Sequence, residues 1–77
     1  MPLDPLPAWA VARQRVIGEQ IRAARRAAGL SQILLGEAIG RDHKTVHRYE
    51  TALTSPPLME LILIAHAVGV SLPDLVR

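Results

Sequence analysis

The strongest constraint on the fold lies between Gln32 and Glu50, where two short helical patterns are separated by only three residues. Apolar residues recur in each pattern at spacings of three and four, which indicates a helix with one buried face. Gly40 lies at the junction and permits the positive backbone angle that ends a helix in a tight turn. Two helices joined this closely need a common core, and we find no alternating pattern long enough for a strand. The sequence therefore predicts an all-α fold.

Capping residues and glycines predict where the helices begin and end. Ser31 and Asp42 are residue types that accept hydrogen bonds from the first turn of a helix, and Gly29, Gly40 and Gly69 follow the last turns. The predicted organisation is a proline-rich arm at residues 1–10 and a domain at 11–77, with helices at 11–28, 32–39, 43–51 and 58–68 and a short final turn at 71–75.

The same spacing predicts which side chains are buried. Gly36 is unusual inside a helix, where it costs about 0.5–1 kcal/mol relative to alanine, and a close helix-to-helix approach would explain it. Leu6 and Trp9 are expected to cover an edge of the core. The residues predicted to point inward are Ile17, Ile21, Ala24, Ala28, Leu35, Ala38, Ile39, Val46, Tyr49, Leu61, Ile64, Ala65 and Val68.

Length and composition exclude several classes of protein. A chain of 77 residues without cysteine supports one small domain and excludes disulfides and thiolate zinc sites. Leu61 to Ala65 is the longest apolar stretch and is far too short to span a bilayer. The first residues carry prolines and no long apolar run, so we expect no signal peptide and a cytoplasmic location.

The positive charge is concentrated in one half of the chain. The net charge is only +2, but eight Lys and Arg residues lie between Arg13 and Arg48 against three acidic residues. Such a bias is typical of a chain that binds a polyanion. On charge alone, a solvated helical surface is an equally good interpretation.

The third helix carries hydrogen-bond donors along the face opposite Val46 and Tyr49. Lysine and arginine suit the O6 and N7 acceptors of guanine in the major groove of DNA, and Thr45 beside them could contact a thymine methyl group or a phosphate. The donors of this face are His43, Lys44, His47, Arg48 and Thr51.

Two of these donors, His43 and His47, are four residues apart and could also bind a metal. No third ligand is near in sequence, so we predict no metal and no cofactor.

Residues 17 to 72 resemble the Cro/phage-repressor (XRE-like) helix-turn-helix family. The resemblance covers about three quarters of the chain, in register throughout. The matching residues are Ile21-Arg22, Arg25, Gly29-Leu30-Ser31-Gln32, Leu35-Gly36, Gly40, Val46, Tyr49-Glu50, Pro56, Leu61, Ile64-Ala65, Val68-Gly69-Val70 and Ser71-Leu72.

This resemblance implies a compact five-helix bundle of the lambda-repressor-like type and a role for several residues. Arg25 and Glu50 match a structural ion pair of the family. Gln32 would contact a DNA phosphate and brace the third helix. The base-reading positions of the family correspond to His43, Lys44 and Arg48, beside which we place His47.

The sequence departs from the family pattern after Glu50. Thr51-Ala52-Leu53 stands where the family commonly has an Asn-Gly-Lys-like stretch, so a glycine and a phosphate-binding lysine are missing. We expect Arg41, Thr45 and Thr51 to supply phosphate contacts in addition to Gln32.

Several apolar residues fall at positions predicted to be exposed. Single exposed leucines are ordinary, but several together indicate a surface that binds protein. The predicted interface residues are Ile33, Leu34, Leu53, Met59 and Leu63.

These observations predict a sequence-specific transcriptional repressor of bacterial or phage type that binds double-stranded DNA as a homodimer on an inverted repeat. No nucleophile with a base, phosphate loop or carboxylate pair is present, so we do not expect an enzyme. The alternative is a protein-interaction module, such as an antitoxin component, that uses the exposed apolar residues. A third hypothesis is that Trp9, Val11 and Val16 extend the first helix and pair between protomers.

Overall fold

The computed structural model describes residues 5–77, which form five helices and no strand. Helix α1 packs against α3, α4 and α5, while α2 packs against α3 and α4. The predicted all-α bundle of five helices is confirmed. The helices are α1 (Ala8–Ala27), α2 (Gln32–Ile39), α3 (His43–Glu50), α4 (Leu58–Val68) and α5 (Leu72–Val76).

From the end of α1 onward, the predicted helix ends agree with the structure to within one residue. The Ser31 hydroxyl accepts a hydrogen bond from the Leu34 N–H at 3.0 Å, which caps α2. Gly40 ends α2 with a φ of 74°, in the left-handed region that glycine adopts without steric cost. The start and the end of α4 agree with the prediction.

The start of α1 corrects the sequence prediction. The helix begins at Ala8, three residues before the predicted start at Val11. Pro7 precedes the helix, and its carbonyl accepts hydrogen bonds from the N–H groups of Ala10 and Val11. A proline suits this place because its missing N–H would have no helical partner. The outer part of the predicted arm, Met1 to Asp4, lies outside the described residues.

The core lies where the five helices meet. Ile21, Leu35 and Ile64 are fully buried at its centre, and Leu30 and Leu61 pack against it while partly exposed. The buried apolar residues are Ile21, Leu35, Ile39, Val46, Tyr49, Ile64, Ala65, Val68 and Leu75.

Four side chains predicted to pack on the core are exposed instead: Leu6, Trp9, Ala28 and Ala38. The buried arc of α2 is centred near Gly36 and Ile39, and at about 100° per residue Ala38 falls outside it. Ala28 is already the C-cap of α1. Trp9 remains 75% exposed because no other described element covers that face of the first turn of α1.

Candidate nucleic-acid interface

Helix α3 has one buried face and one exposed face. Val46, Tyr49 and Glu50 are buried, and Thr45 is half-buried at the edge. The exposed side chains of the opposite face are His43, Lys44, His47 and Arg48. The structure thus brings the four residues predicted to contact bases onto one solvent-facing surface.

The amino end of α3 is fixed by Asp42. Its carboxylate accepts a hydrogen bond from the Thr45 N–H at 2.9 Å, as the sequence predicts for an N-cap. This hydrogen bond lowers the pKa of Asp42 below its usual value. The carboxylate is therefore charged at neutral pH and held at the helix end.

The carboxyl end of α3 adopts the conformation that a glycine would favour, although no glycine is present. Ala52 has a φ of 60°, which costs an L-residue roughly 1–2 kcal/mol. The Leu53 N–H donates to the Arg48 carbonyl at 2.9 Å and the Ala52 N–H to the Tyr49 carbonyl at 3.3 Å, which is the Schellman pattern. The Gln14 side chain also donates to the Ala52 carbonyl at 3.3 Å. The helix therefore ends normally despite its departure from the family sequence.

Two glycines let backbone segments approach α3 closely. A Cβ atom at Gly18 would lie 2.7 Å from the Glu50 carbonyl oxygen, and one at Gly36 would lie 2.6 Å from the Arg41 carbonyl oxygen. Gly36 thus packs against the turn between α2 and α3. We expected it to pack against another helix, and that expectation was wrong. Sequence reasoning missed Gly18, although a glycine within a 20-residue helix is a usable signal.

A buried ion pair joins α1 to the end of α3. Arg25 Nε lies 2.6 Å from Glu50 Oε2, and Arg25 Nη2 lies 3.0 Å from Glu50 Oε1. Arg25 Nη1 also donates to the Leu30 carbonyl at 2.9 Å. The hydrogen bonds to Glu50 raise the pKa of Arg25. The residue pair named from the family resemblance is in bidentate contact, with side-chain exposures of 9% and 2%.

Gln32 adds a third side chain to this ion pair. Its Nε2 donates to Glu50 Oε1 at 3.2 Å and lies 3.5 Å from His47 Nδ1. The side chain is half-buried in the first turn of α2. Gln32 therefore braces α3 from α2, whereas its phosphate contact stays a prediction.

A second carboxylate cluster holds the other side of α3. Arg41 Nε and Nη2 donate to the two oxygens of Glu60 at 3.0 and 2.8 Å, and the Tyr49 hydroxyl donates to Glu60 Oε1 at 2.6 Å. The bond from Arg41 lowers the pKa of Glu60. Burial, followed by the bond to Glu60, raises the pKa of Tyr49 to about 12.

This cluster was not found by sequence reasoning. Glu60 is only 7% exposed, and the available signal was a single acidic residue within the otherwise apolar pattern of α4. The cluster also changes the interpretation of Arg41, which we named as a phosphate contact. Two of its guanidinium nitrogens bind Glu60, while its side chain remains 51% exposed, so Nη1 is the nitrogen left for a phosphate.

Thr51 is exposed at the end of α3, but its hydroxyl donates to the His47 carbonyl at 2.8 Å. It would have to leave that partner to donate to a phosphate. Thr45 is half-buried beside the exposed face of α3, within reach of solvent.

The five apolar residues predicted to be exposed are indeed exposed. Two further residues, Leu58 and Ile62 on α4, belong with them. Sequence reasoning missed these two, although each lies two residues from a buried residue, Glu60 or Ile64, and hence on nearly the opposite side of α4. The predicted set, Ile33, Leu34, Leu53, Met59 and Leu63, lies on α2, on α4 and in the loop between α3 and α4.

Within residues 5–77, no three His, Cys, Asp or Glu side chains come together in a way that could hold a metal ion. None of the helices in this part of the chain is long and apolar enough to cross a bilayer.

Comparisons with known proteins agree with this geometry. A family model described as a helix-turn-helix domain matches residues 16–77, and a search of curated proteins found no match. The restriction-modification controller protein C.AhdI from Aeromonas hydrophila is 28% identical, with a TM-score of 0.80 over 84% of this chain and 94% of that chain.

Two further solved structures are similar. The P22 c2 repressor, in complex with synthetic operator 9T, is 28% identical, with a TM-score of 0.74 over 79% of this chain and 92% of that one. A hypothetical transcription factor from Neisseria, NHTF, is 26% identical, with a TM-score of 0.78 over 100% of this chain and 87% of that one. With the family match over residues 16–77, they show that the chain belongs to the Cro/phage-repressor (XRE-like) family of DNA-binding helix-turn-helix regulators.

Proposed function

We propose that the chain is a sequence-specific transcriptional repressor and that α3 is its recognition helix, inserted into the major groove. The observation that carries this proposal is the exposed face of α3, which presents hydrogen-bond donors and no carboxylate. Within residues 5–77, neither Lys44 nor Arg48 forms an ion pair. Both cations are therefore available to guanine O6 and N7.

The contacts divide into base-reading and positioning groups. Base edges are contacted by His43, Lys44, His47 and Arg48, while Gln32, Arg41, Thr45 and Thr51 contact phosphates. The Arg25–Glu50 pair does not reach DNA in this proposal. It holds α3 at the angle at which its exposed face can enter the groove.

We further propose that the chain binds an inverted repeat as a homodimer. Two recognition helices related by a twofold axis read half-sites about 34–36 Å apart, which is one turn of DNA. The organisation into an arm at 1–10 and a domain at 11–77, and a cytoplasmic location, likewise remain predictions.

In vitro selection of duplex DNA tests the proposal. Random duplexes are incubated with the protein, and the bound fraction is amplified and sequenced. We expect an inverted repeat whose half-site centres are one helical turn apart. Recovery of no enriched sequence would contradict sequence-specific binding, and enrichment of a single unrepeated half-site would contradict the dimer.

A second candidate is a protein-interaction module, such as an antitoxin component. The exposed apolar residues Ile33, Leu34, Met59 and Leu63 favour it, together with Leu53. Sedimentation of the isolated protein distinguishes the two functions. A clean monomer at high micromolar concentration that shows no DNA preference would favour the module, whereas a dimer that prefers one DNA sequence would favour the repressor.

A further inference from the structure

A second basic surface lies beside the recognition helix, on α1. It borders a cleft of about 250 Å³ between α1 and the carboxyl end of α3, with Gln32 of α2 at its side. The side chains that line this cleft are Arg22, Arg25, Arg26, Gln32, His47, Glu50 and Thr51.

The charge of this cleft comes from two arginines. Arg25 and Glu50 neutralise each other in their buried pair. Arg22 and Arg26 are exposed, and neither pairs with a carboxylate within residues 5–77. They are four residues apart on α1, so their Cβ atoms lie about 6 Å apart on one face of the helix. The cleft therefore has two positive charges available for an anion.

The cleft is continuous with the exposed face of α3. Gln32 and His47 line both the cleft and the neighbouring depression. That depression is also lined by His43, Lys44, Arg48 and Leu53. A phosphate backbone that runs along one edge of the major groove beside α3 would therefore pass within reach of α1.

The surface is bounded on the side toward the start of α1. The next hollow along α1 is lined by Arg15, Glu19 and Arg22, together with Glu50 and Thr51. Glu19 is exposed there, and its negative charge would repel a phosphate. Arg22 and Arg26 thus form the part of this face that combines free positive charge with proximity to α3.

We propose that Arg22 and Arg26 bind the phosphates of one DNA strand at the edge of the groove that α3 enters. The inference rests on the proposed function and adds a contact surface on α1 to it. Because phosphates carry no sequence information, the two arginines strengthen binding to every sequence alike. They also determine how steeply the affinity falls with salt.

The test is the dissociation constant as a function of potassium chloride concentration, measured on the selected duplex and on a mixed-sequence duplex of equal length. The variant is Arg22→Gln/Arg26→Gln. A matched control, Arg13→Gln/Arg77→Gln, removes the same charge at the opposite side of α1, where Arg13 donates to the Val76 carbonyl. Far-UV circular dichroism checks that all three proteins are folded.

We expect the slope of log affinity against log salt to become shallower by about 1.8 for each bound protomer, hence by about 3.6 for the dimer, at about 0.9 for each lost phosphate contact. The preference for the selected duplex should not change. The control should keep nearly the full slope. A slope that matches the control, or a lost sequence preference, would overturn the inference while leaving the recognition helix intact. Wild-type protein that binds neither duplex would overturn the proposed function along with it.

Discussion

The two sides of α3 are held by the same chemistry in different surroundings. On the α1 side, the Arg25–Glu50 pair has side-chain exposures of 9% and 2%; on the α4 side, those of Arg41 and Glu60 are 51% and 9%. The first pair is closed off from water and the second is open at its arginine. An exposed charge is still solvated by water when its partner is removed, whereas a buried one is not. Removal of the glutamate should therefore cost more stability on the α1 side, where Arg25 is left buried, than on the α4 side, where Arg41 stays solvated.

The largest expected effect follows from breaking the buried pair. Arg25→Met leaves Glu50 buried without its cation, which should lower the free energy of unfolding by about 3–5 kcal/mol. Urea unfolding followed by far-UV circular dichroism measures this loss, because Trp9 is too exposed to report on the core by fluorescence.

Two variants sharpen the interpretation of that result. Arg22→Met removes an exposed arginine from the same helix and should change stability by less than about 0.5 kcal/mol. The double variant Arg25→Met/Glu50→Leu should be more stable than Arg25→Met alone, since no buried charge is left unpaired. A single variant as stable as the wild type would show that the pair is not buried in solution.

The close approach at Gly18 gives the next largest effect on the α1 side. Gly18→Ala would place a methyl group 2.8 Å from the Tyr49 carbonyl oxygen, so α1 and α3 must move apart. We expect a loss of about 1–3 kcal/mol by urea unfolding. Gly69→Ala is the reference. The new Cβ atom would meet nothing within 4 Å there, so that variant tests the cost of a φ of 76° without any steric clash. An unchanged stability for Gly18→Ala would contradict the close packing of α1 on α3.

On the α4 side, the bond between Tyr49 and Glu60 should make the free energy of unfolding depend on pH. The folded pKa of Tyr49 is about 12, against an ordinary value of 10.0. The stabilisation of the folded state by the protonated Tyr49 is therefore fully present below pH 10 and is lost as the pH rises toward 12. Tyr49→Phe should lower stability at neutral pH by about 1 kcal/mol and remove this alkaline decline. The chain has a single tyrosine, so an equal decline in the variant would contradict the assignment.

Glu60 should give the opposite dependence at acid pH. Its folded pKa is below the ordinary value of 4.5, so its contribution is present above that value and is lost as the pH falls through the folded pKa. Glu60→Gln should make the acid decline shallower in urea unfolding between pH 5 and 3. A decline as steep as that of the wild type would mean that other carboxylates account for it.

The smallest expected effect is a gain in stability at the end of α3. Ala52→Gly should raise the free energy of unfolding by about 0.5–1 kcal/mol, because glycine adopts positive φ without the steric cost of a Cβ. Ala23→Gly, at an exposed position inside α1, should instead lower it by about 1 kcal/mol. If both variants are destabilised equally, the left-handed conformation of Ala52 is wrong.

The same two sides differ in what could be predicted from the sequence. Capping residues, glycines and helical spacing predicted the helices because these signals are local. Arg25 and Glu50 were paired through the family motif, since their positions recur in it. Glu60 lies outside any motif, and its partners Arg41 and Tyr49 meet it only when the tertiary fold places α4 near them. A contact that forms only through tertiary packing, between residues that belong to no family motif, leaves no local pattern in the sequence from which it could be predicted.

The corrected predictions have the same physical basis. Leu6 and Trp9 are apolar, and hydrophobicity alone suggested burial, but a side chain is buried only where another element covers it. Ala38 has helical spacing from Leu35, yet the direction of the buried arc depends on where α3 and α4 lie. Gly36 was recognised as a site of close approach, while the approaching group could be identified only in the structure.

The most direct test of the central claim, that α3 reads DNA sequence, is the ratio of affinities for the selected and the mixed-sequence duplex. We expect this ratio to fall at least tenfold in Lys44→Ala/Arg48→Ala, because each lost base contact removes about 1–3 kcal/mol of discrimination. Arg22→Gln/Arg26→Gln, which removes the same formal charge, should leave the ratio unchanged. An undiminished ratio in Lys44→Ala/Arg48→Ala would contradict the assignment of α3 as the recognition helix.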